Sequence, residues 1–461
     1  MKSFEFRGAD YEYLTEGASS MLLQPSSSSS LQNFPPMVLK IAKRFPSDER
    51  VFVGFKSFMD AWFDGKYILR PMHYMYLRRA ELDKLYMRIN PFRCANRCEK
   101  GSHYPLYGSI EQNLTLSCEE ITLSFELKVK CGLKSYSPFV RTEFMGDQRT
   151  DRSVKHKISR YALIQLVKLH ESIRRVETPW GKFEKMSEYN PSDLCSRSLV
   201  RVRNALKALL CNPQNNLRVC FSGKHIYGWN IASMDEFIKI LSTLSSATVL
   251  VPPIDYLADV LVRENVLQRL ESLQALDAFT DIEGCEAIFT RLVELSAGCE
   301  YMAVQKIVQS KKINDFPLEE LAIIHAWIKE IEAGNFQRGL YELSEIFLSD
   351  FLRKMLQLTP LTAIKGAVNV HEMNSSSRDS WLRTLTEDEC ILFVQFWLIA
   401  LGAKDASLVV TLTQSSLSSS WSHDTHLIDV GPKPISKIFQ KISTEPEIIE
   451  KASLALKNLI E

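Results

Sequence analysis

The chain has 461 residues, of which 45% are hydrophobic, so it can bury a large core and is long enough for two or three structural units. Its 56 lysines and arginines balance 55 acids, and a net charge of +1 argues against a general nucleic-acid coat and against electrostatic attachment to a membrane. Any site for a polyanion must therefore be a local concentration of positive charge.

Targeting and cysteine patterns indicate a protein of the cell interior. No apolar run reaches the roughly 18 to 20 residues that a membrane span needs, and the N-terminus lacks the apolar core of a signal peptide. The ten cysteines follow no disulfide framework. Cys94, Cys98 and His103 come nearest to a metal motif but lack a second ligand pair, so no structural zinc is expected. We expect a cytoplasmic or nuclear monomer that binds neither membrane nor nucleic acid.

The first hundred residues are predicted to form short strands and then a helix. Strands are expected at Tyr11 to Thr15 and Met21 to Gln24, separated by a turn of small residues. A third strand, Met37 to Lys43, carries Lys40, and a helix is predicted from Ser47 to Phe58. This is the order of a kinase-type ATP lobe, although a single glycine is not a G-x-G-x-x-G loop and lysines on strands are common.

The clearest strand in the sequence is Ile121 to Lys130, in which apolar and polar residues alternate. Its polar face ends in Lys128 and Lys130. Residues two apart on a strand lie roughly 6 to 7 Å apart on the same side. Two ammonium groups so close together predict an anion at this end of the strand.

A further lysine lies on the helix predicted from Ser153 to Glu171. Lys168 falls one turn from Ile164 on this helix. It can therefore point inward along the strand or remain a solvated surface lysine.

Amides and a guanidinium are grouped at the start of the strand predicted from Leu217 to Phe221. Asn215 and its two amide neighbours precede the strand, and Arg218 lies within it. Together these groups can hold several phosphate oxygens at once. The ordinary preference of asparagine for turns explains the same pattern.

The last 230 residues or so are predicted to be helical from about 233 to 401 and then to return to strands, without an internal repeat. Ser407 to Thr413 and Thr425 to Val430 are predicted to form an antiparallel hairpin that is flanked by Asp405 and Asp429. Protein-kinase-like enzymes place a catalytic base and a magnesium ligand in this arrangement. Such aspartates also flank hairpins in proteins without catalytic activity.

A basic stripe follows the hairpin. Lys433 and Pro434 precede Lys437 and Lys441, and lysines four apart lie on one helix face. The stripe is an ordinary solvated face unless a ligand lies nearby. Because it begins a few residues after Asp429, a substrate that carries phosphate is favoured.

Four motifs together resemble the inositol-pentakisphosphate 2-kinase family, which makes phytate from inositol pentakisphosphate and ATP. Residues 126–133 resemble its E-x-K-P-K-C-G-F motif, and residues 214–218 its Q-N-N-x-R/K motif. Residues 403–407 are similar to its A-K-D-x-S motif and residues 429–434 to its D-x-x-x-K-P segment. The matches span most of the chain in the expected order, and residues 281–284 also match the helical region of the family.

The resemblance implies an α+β fold of two lobes, like that of protein kinases. The β-rich N-lobe, residues 1–110, binds the nucleotide, and the larger C-lobe, residues 111–461, holds the catalytic residues and a helical insertion at about 233–401 that binds the inositol phosphate. The implied reaction uses ATP and Mg²⁺ to phosphorylate the 2-hydroxyl of inositol 1,3,4,5,6-pentakisphosphate, giving inositol hexakisphosphate. The rival hypotheses are a catalytically weak inositol-phosphate-binding protein, a kinase of another inositol polyphosphate specificity, and a helical adaptor without a ligand.

The resemblance also implies roles for individual residues. For the nucleotide, the loop consists of Gly17, Ala18, Ser19 and Ser20, and the adenine hinge consists of Pro105, Leu106 and Tyr107. The phosphates of the nucleotide are bound by Lys40, Lys128 and Arg218, and Glu126 faces the nucleotide. The magnesium ligand is Asp429. For the inositol phosphate the implied ligands are Lys130, Lys168, Asn215, Lys433, Lys437 and Lys441. Asp405 is the implied base for the 2-hydroxyl, with Lys128 as the second catalytic residue.

The chain departs from the family pattern at several positions. Ile164 replaces the histidine of an M-H-Q triplet, Lys441 stands where a tyrosine is common, and Arg93 is the nearest match to an expected arginine. The zinc-binding cluster of plant members has no counterpart after Cys299. We therefore expect the substrate contacts to differ more than the catalytic acids.

Overall fold

The computed structural model describes residues 6–16, 20–26, 36–42, 52–93, 107–116, 121–140, 142–145, 148–151, 154–173, 185–228, 234–246, 253–333, 349–358, 375–414, 420–431 and 433–460. They form two five-stranded antiparallel sheets, a two-stranded hairpin and many helices, which confirms the predicted α+β class. Within these residues, every helix is too short or too polar to cross a membrane.

The elements are numbered in chain order. The strands are β1 Tyr11–Glu16, β2 Ser20–Pro25, β3 Met37–Ala42, β4 His73–Tyr76, β5 Tyr107–Gln112, β6 Ile121–Lys128, β7 Thr142–Met145, β8 Gln148–Asp151, β9 Leu217–Phe221, β10 Lys224–Gly228, β11 Ser407–Gln414 and β12 Trp421–Ile428. The helices are α1 Phe55–Trp62, α2 Arg79–Ile89, α3 Val154–Lys157, α4 Arg160–Ile173, α5 Pro191–Leu194, α6 Leu199–Cys211, α7 Met234–Ser246, α8 Pro253–Arg263, α9 Val266–Gln274, α10 Asp281–Leu295, α11 Glu300–Gln309, α12 Glu319–Ala333, α13 Asp350–Gln357, α14 Ser375–Arg383, α15 Glu387–Asp405 and α16 Ser436–Ile460.

The first sheet has the strand order β1-β2-β3-β5-β4, with antiparallel neighbours throughout. One face packs on α2 through buried apolar side chains such as Leu39, Ile110 and Leu82. Because successive side chains of a strand point to opposite faces, Lys40 lies on the other face. The face opposite α2 therefore carries the charged side chains of the central strands.

The second sheet has the order β10-β9-β6-β11-β12, so the strand with the clearest sequence pattern lies at its centre. Leu123, Phe125 and Leu127 of β6 are buried in the main hydrophobic core, together with many helical residues. The opposite face of β6 carries Ser124, whose hydroxyl donates to the backbone carbonyl of Leu114 at 2.9 Å. The chain that leaves β5 for the second sheet therefore lies across the polar face of that sheet.

Helix α15 positions the last hairpin. It is apolar on nearly all sides, as expected for a helix surrounded by other elements, and twelve of its residues are buried. It begins with a capping box of Thr386 and Glu389. It ends at Asp405, two residues before β11 begins at Ser407. The end of the helix thus places Asp405 at one end of the second sheet.

The predicted helix from Ser47 to Phe58 is wrong at both ends. Phe52 to Gly54 form no helix, because the amide of Val53 donates to the carbonyl of Val308 at 3.0 Å in the helical region. Helix α1 therefore begins at Phe55 and ends at Trp62.

The helix predicted from Ser153 to Glu171 is broken between α3 and α4. The amides of Arg160 and Tyr161 donate to the carbonyls of Leu133 and Cys131, at 3.4 and 3.3 Å, instead of continuing the ladder of α3. A tertiary contact thus interrupts a helix that local spacing predicts to be continuous.

Two strand boundaries also differ from the prediction. The strand predicted from Ile121 to Lys130 ends at Lys128, since its pairing with β11 ends where Lys128 faces Ser407. The strand predicted from Thr425 to Val430 begins at Trp421, which pairs with Gln414, and ends at Ile428. The hairpin is thus longer than predicted.

A buried ionic cluster holds α3, α10 and α16 together. The Lys155 side chain is 3% exposed, and its Nζ lies 2.9 Å from carboxylate oxygens of Asp281 and Glu283 and 3.2 Å from one of Glu445. We expect Lys155→Met to lower the free energy of unfolding by about 3 to 5 kcal/mol, because two buried carboxylates and a half-buried one lose a common cation. Urea denaturation of this variant and of Lys84→Met, which removes an exposed lysine of α2, measures the difference. Equal unfolding midpoints would contradict the prediction.

Candidate functional site

One end of the second sheet collects the two predicted aspartates and a lysine. Lys128 ends β6 and pairs with Ser407 of β11, which pairs in turn with Ile428 at the end of β12. Asp405 lies two residues before Ser407, and Asp429 directly follows Ile428. Groups that are far apart in the sequence therefore meet at one sheet end.

Glu126 of β6 pairs with Arg218 of β9. Glu126 lies two residues before Lys128, on the same face of β6. An Nη atom of Arg218 lies 3.8 Å from the carboxylate of Glu126, and both side chains are largely buried. Burial raises the pKa of Glu126, while Arg218 and Lys128 oppose the rise. The pair presents a guanidinium beside the lysine at the sheet end.

The Asp405 carboxylate is exposed and surrounded by ammonium groups. Its Oδ2 lies 2.9 Å from Nζ of Lys433, and 56% of the side chain is accessible to solvent. Partial loss of contact with water acts to raise its pKa, but Lys433, Lys130 and Lys441 outweigh that effect and hold the pKa of Asp405 below its ordinary value. The carboxylate is therefore ionised at neutral pH and is accessible to a ligand.

Asp429 has a left-handed backbone conformation, with φ of 60°, at the exposed end of β12. Aspartate and asparagine tolerate this conformation better than most residues. The carboxylate is close enough to that of Glu126 to raise the pKa of Glu126. Within the part of the chain that the structure describes, three or more metal-ligating side chains nowhere cluster. One or two carboxylates nevertheless fit Mg²⁺, which takes its remaining oxygen ligands from phosphates and water.

Lys168 points into the protein rather than toward solvent, which decides between the two orientations predicted for it. The residue is 7% exposed, and its Nζ donates to Oε1 of Gln214 at 3.4 Å. Gln214 also exchanges two amide hydrogen bonds of 2.9 Å with Gln165. Burial, and then the charge of Lys130, lowers the pKa of Lys168 to about 8.

Lys130 lies just beyond the end of β6 and is half-buried. Burial lowers its pKa, Asp405 acts to raise it, and Lys128 and Lys433 act to lower it. The four charges therefore interact as one group at the sheet end.

The turn before β9 is held on both sides. Gln214 has a left-handed φ of 45°, and the backbone carbonyl of Asn216 accepts from the amide of Lys128 at 2.9 Å. The buried side chain of Asn216 donates to the hydroxyl of Tyr161 on α4 at 3.4 Å. Asn215 is half-buried between these two anchored residues.

The predicted basic stripe on α16 is divided. Lys437 donates to Gln440 one turn along its own helix at 2.6 Å. Lys441 is half-buried, and burial lowers its pKa, with Arg160 and Lys404 adding to the effect and Glu445 and Asp405 opposing it. Lys441 is therefore one of the half-buried charged groups near Asp405 and does not lie on a solvated helix face.

A cavity of about 70 Å³ adjoins this group and is lined in part by Lys404, Lys441, Arg160 and Asp277. Ligand pockets for small molecules commonly measure about 300 to 1,000 Å³. The cavity is therefore smaller than an ordinary small-molecule pocket.

The first sheet contributes Lys40, whose Nζ lies 3.5 Å from the carboxylate of Glu111 on β5. Glu111 also accepts from the hydroxyl of Ser109 at 2.8 Å. The sequence does not single out Glu111, because its neighbour Gln112 is also polar and interrupts the alternation of apolar and polar residues. Tyr107 begins β5 and pairs with Tyr76.

Several predicted residues cannot be placed. Ser20 begins β2, whereas these residues lie outside the described ones: Gly17, Ala18, Ser19, Pro105, Leu106, Cys94, Cys98 and His103. Their predicted roles stay predictions, as does the absence of structural zinc.

The chain leaves the first sheet after β5, and residues 113–116 lead toward the second sheet.

Two acids, a guanidinium and a cluster of ammonium groups at one sheet end are the parts that a phosphoryl-transfer site requires. The family model for inositol-pentakisphosphate 2-kinase matches residues 13–443, and the chain belongs to this family. The family that the motifs resemble is thereby confirmed.

Three relatives show how the similarity is distributed. The chain is 24% identical to inositol-pentakisphosphate 2-kinase IPK1 of Oryza sativa subsp. japonica over 334 residues, which cover 71% of the chain and 59% of the rice protein. It is 29% identical to the enzyme of Arabidopsis thaliana over 210 residues, 43% of the chain and 42% of that protein. The Drosophila melanogaster enzyme is 40% identical over 79 residues, 17% of the chain and 11% of that protein. The chain thus spans about three-fifths of the rice relative.

Proposed function

We propose that the protein transfers the γ-phosphoryl group of ATP to the 2-hydroxyl of inositol 1,3,4,5,6-pentakisphosphate, giving inositol hexakisphosphate and ADP. The observation that carries the proposal is the sheet end that brings together Lys128, Asp405 and Asp429. Membership of the family supports this choice of acceptor and of its 2-hydroxyl. The proposed partners are therefore small molecules.

We further propose a fold of two lobes, like that of protein kinases, with the nucleotide between the two sheets. The first sheet has its own hydrophobic cluster, separate from the main core, which supports an N-lobe that ends near residue 110. The strand order β1-β2-β3-β5-β4 places Lys40 on the face opposite α2. Lys40 would hold ATP phosphates from this side.

The nucleotide and the acceptor would contact different cations. Arg218 and Lys128 lie on the polar face of the second sheet and would hold the phosphates of ATP. Lys130, Lys168 and Lys433 would hold the phosphates of the acceptor, because they lie on the side of Asp405 and the buried amide turn. Asn215, Lys437 and Lys441 would add contacts to the same ligand. Such charges neutralise phosphates and align the reacting groups, which is most of what phosphoryl transfer requires.

Asp405 would orient the 2-hydroxyl and accept its proton. The hydroxyl oxygen forms a bond to the γ-phosphorus while the bond from that phosphorus to the bridging oxygen of ADP breaks. Asp429 would hold Mg²⁺ against the phosphates of ATP, and Glu126 would face the same nucleotide beside Arg218. When bound, Mg²⁺ neutralises the charge on the phosphate oxygens.

Product analysis tests the proposed reaction. The protein is incubated with ATP, Mg²⁺ and inositol 1,3,4,5,6-pentakisphosphate, and we expect equal amounts of ADP and inositol hexakisphosphate. Formation of a pyrophosphate instead would indicate another specificity, because the 2-hydroxyl is the single free hydroxyl of this acceptor. A rise of the melting temperature with hexakisphosphate but no turnover would indicate a binding protein, and neither result would indicate an adaptor without this ligand.

The low pKa of Lys168 predicts a pH-dependent affinity for the acceptor. Affinity should fall as the pH rises through about 8, because the neutral amine no longer attracts phosphate. In the absence of ligand, the free energy of unfolding changes with pH in the opposite direction to the affinity. Between about 8 and 10.5 the unfolded chain binds more protons than the folded one, so the free energy of unfolding rises with pH.

Calorimetric titrations with inositol hexakisphosphate across this range test the prediction. Lys168→Arg should weaken the fall near pH 8, since a guanidinium stays charged throughout, while the lowered pKa values of Lys130 and Lys441 leave a remaining dependence. Lys437→Arg is the matched control and should keep the whole fall. An identical pH profile for wild type and Lys168→Arg would exclude Lys168 as the titrating group.

A further inference from the structure

Gln274, the last residue of α9, joins two backbone segments of the proposed site. The residue is 1% exposed, and its side-chain amide donates to the carbonyl of Val129 at 2.8 Å and to that of Ala403 at 3.1 Å. Val129 directly precedes Lys130, and Ala403 lies two residues before Asp405. A single buried amide therefore holds the segment with the acceptor lysine to the segment with the proposed base.

The sheet itself does not make this connection. Pairing between β6 and β11 ends where Lys128 faces Ser407, so residues 129–130 and 403–405 lie beyond the last pair of the ladder. Gln274 bridges the segments at the point where the strands stop. One turn later, Asp277 accepts two hydrogen bonds of 2.5 and 2.6 Å from Lys404. The end of α9 and the turn that follows it thus hold residues 403–404 at two positions.

We propose that Gln274 is a positioning residue that sets the distance between Lys130 and Asp405. This role rests on the proposed function, in which Lys130 binds acceptor phosphates and Asp405 receives the proton of the hydroxyl. Phosphoryl transfer depends on the alignment of acceptor oxygen and phosphorus, and a displacement of about 1 Å can cost about 100-fold in rate. Gln274 touches neither reactant and acts through the two carbonyls.

The chain contains a matched control for this residue. Gln395 of α15 is 0% exposed and donates to two backbone carbonyls, those of Ile307 at 3.1 Å and Ser310 at 3.3 Å. In both glutamines the side-chain oxygen is buried without a hydrogen-bond partner among the described residues. The carbonyls that Gln395 joins belong to the end of α11 and the residue after it, and carry no proposed site residue.

Kinetics of Gln274→Met and Gln395→Met test the role. We expect kcat of Gln274→Met to fall about 100-fold with a KM for the pentakisphosphate within about threefold of wild type, because ligand-binding groups remain while alignment is lost. Gln395→Met should keep the wild-type kcat. Both should lower the unfolding midpoint to a similar degree. Equal kcat values in the two variants would overturn the proposal.

A third variant separates hydrogen bonding from packing. Gln274→Glu keeps the shape of the side chain, but its ionised carboxylate cannot donate to either carbonyl. Because burial raises the pKa of such a carboxyl group, we expect kcat to be lowest at high pH, where the carboxylate is ionised, and to recover in part as the pH falls and the protonated acid donates one hydrogen bond. A pH profile parallel to that of wild type would count against the role.

An NMR titration of Asp405 distinguishes failure of this inference from failure of the proposed function. Lys130 is among the cations that hold the pKa of Asp405 low, so release of the link should raise this pKa in Gln274→Met and leave it unchanged in Gln395→Met. The measurement needs no turnover. An unchanged pKa in Gln274→Met would refute the positioning role, whereas absence of hexakisphosphate with wild type would refute only the proposed reaction.

Discussion

Asp405→Asn is expected to lower kcat by about 100- to 10,000-fold, the range over which general bases contribute. The amide keeps the size of the side chain but cannot accept the proton of the hydroxyl. Lys433 loses the partner that lies 2.9 Å away, but its ammonium group remains available to a phosphate. KM for both substrates should therefore change much less than kcat. Steady-state rates of product formation measure the effect.

Asp424→Asn is the matched control for this variant. The Asp424 side chain is 57% exposed, close to the 56% of Asp405, and it also has a side-chain partner, His426 at 2.9 Å. It lies on β12, away from the sheet end. We expect it to keep the wild-type rate. A wild-type kcat in Asp405→Asn would exclude this carboxylate as the base.

Asp429→Asn is expected to lower kcat by about 100- to 1,000-fold at moderate Mg²⁺ concentration, the loss typical of removing one charged group that stabilises a transition state. The backbone of residue 429 is left-handed, which asparagine tolerates as well as aspartate, so the variant should fold normally. Part of the rate should return as Mg²⁺ is raised, because the amide oxygen still binds the ion weakly. Rates measured over a range of Mg²⁺ concentrations provide the test.

Asp64→Asn controls for the backbone conformation. Asp64 is also left-handed, with φ of 54°, and its exposed carboxylate lies 2.6 Å from Arg269. Its Mg²⁺ dependence should be that of wild type. If the two variants require the same Mg²⁺ concentration, Asp429 is not the metal ligand.

The parts of the fold that the sequence predicts correctly are those that local pattern determines. The alternation in β6 places Phe125 and Leu127 in the core, and β9 has the predicted bounds of Leu217 and Phe221. The placing of Asp405 before the hairpin and of Asp429 near its far end could also be predicted, whereas the bounds of β12 could not. Neither observation requires knowledge of distant contacts.

The parts that could not be predicted depend on contacts between distant segments. Gln274 and its partner Val129 are 145 residues apart, and Asp277 and Lys404 are 127 residues apart. Nothing in the local sequence marks Gln274 among other helical glutamines. The break between α3 and α4 has the same origin, since backbone groups near Cys131 compete for the first amides of α4.

The pairing of Lys40 with Glu111 affects how the activity could be controlled. We propose that Lys40 is the counterpart of the ATP-binding lysine of protein kinases, which pairs with a glutamate on a helix and loses that partner when the helix is displaced. Here both partners lie on neighbouring strands of one sheet, so the ion pair forms as soon as the sheet folds. A regulator that acts by moving a helix would leave this pair intact. We therefore expect a freshly folded chain to have Lys40 in place without an activating partner or modification.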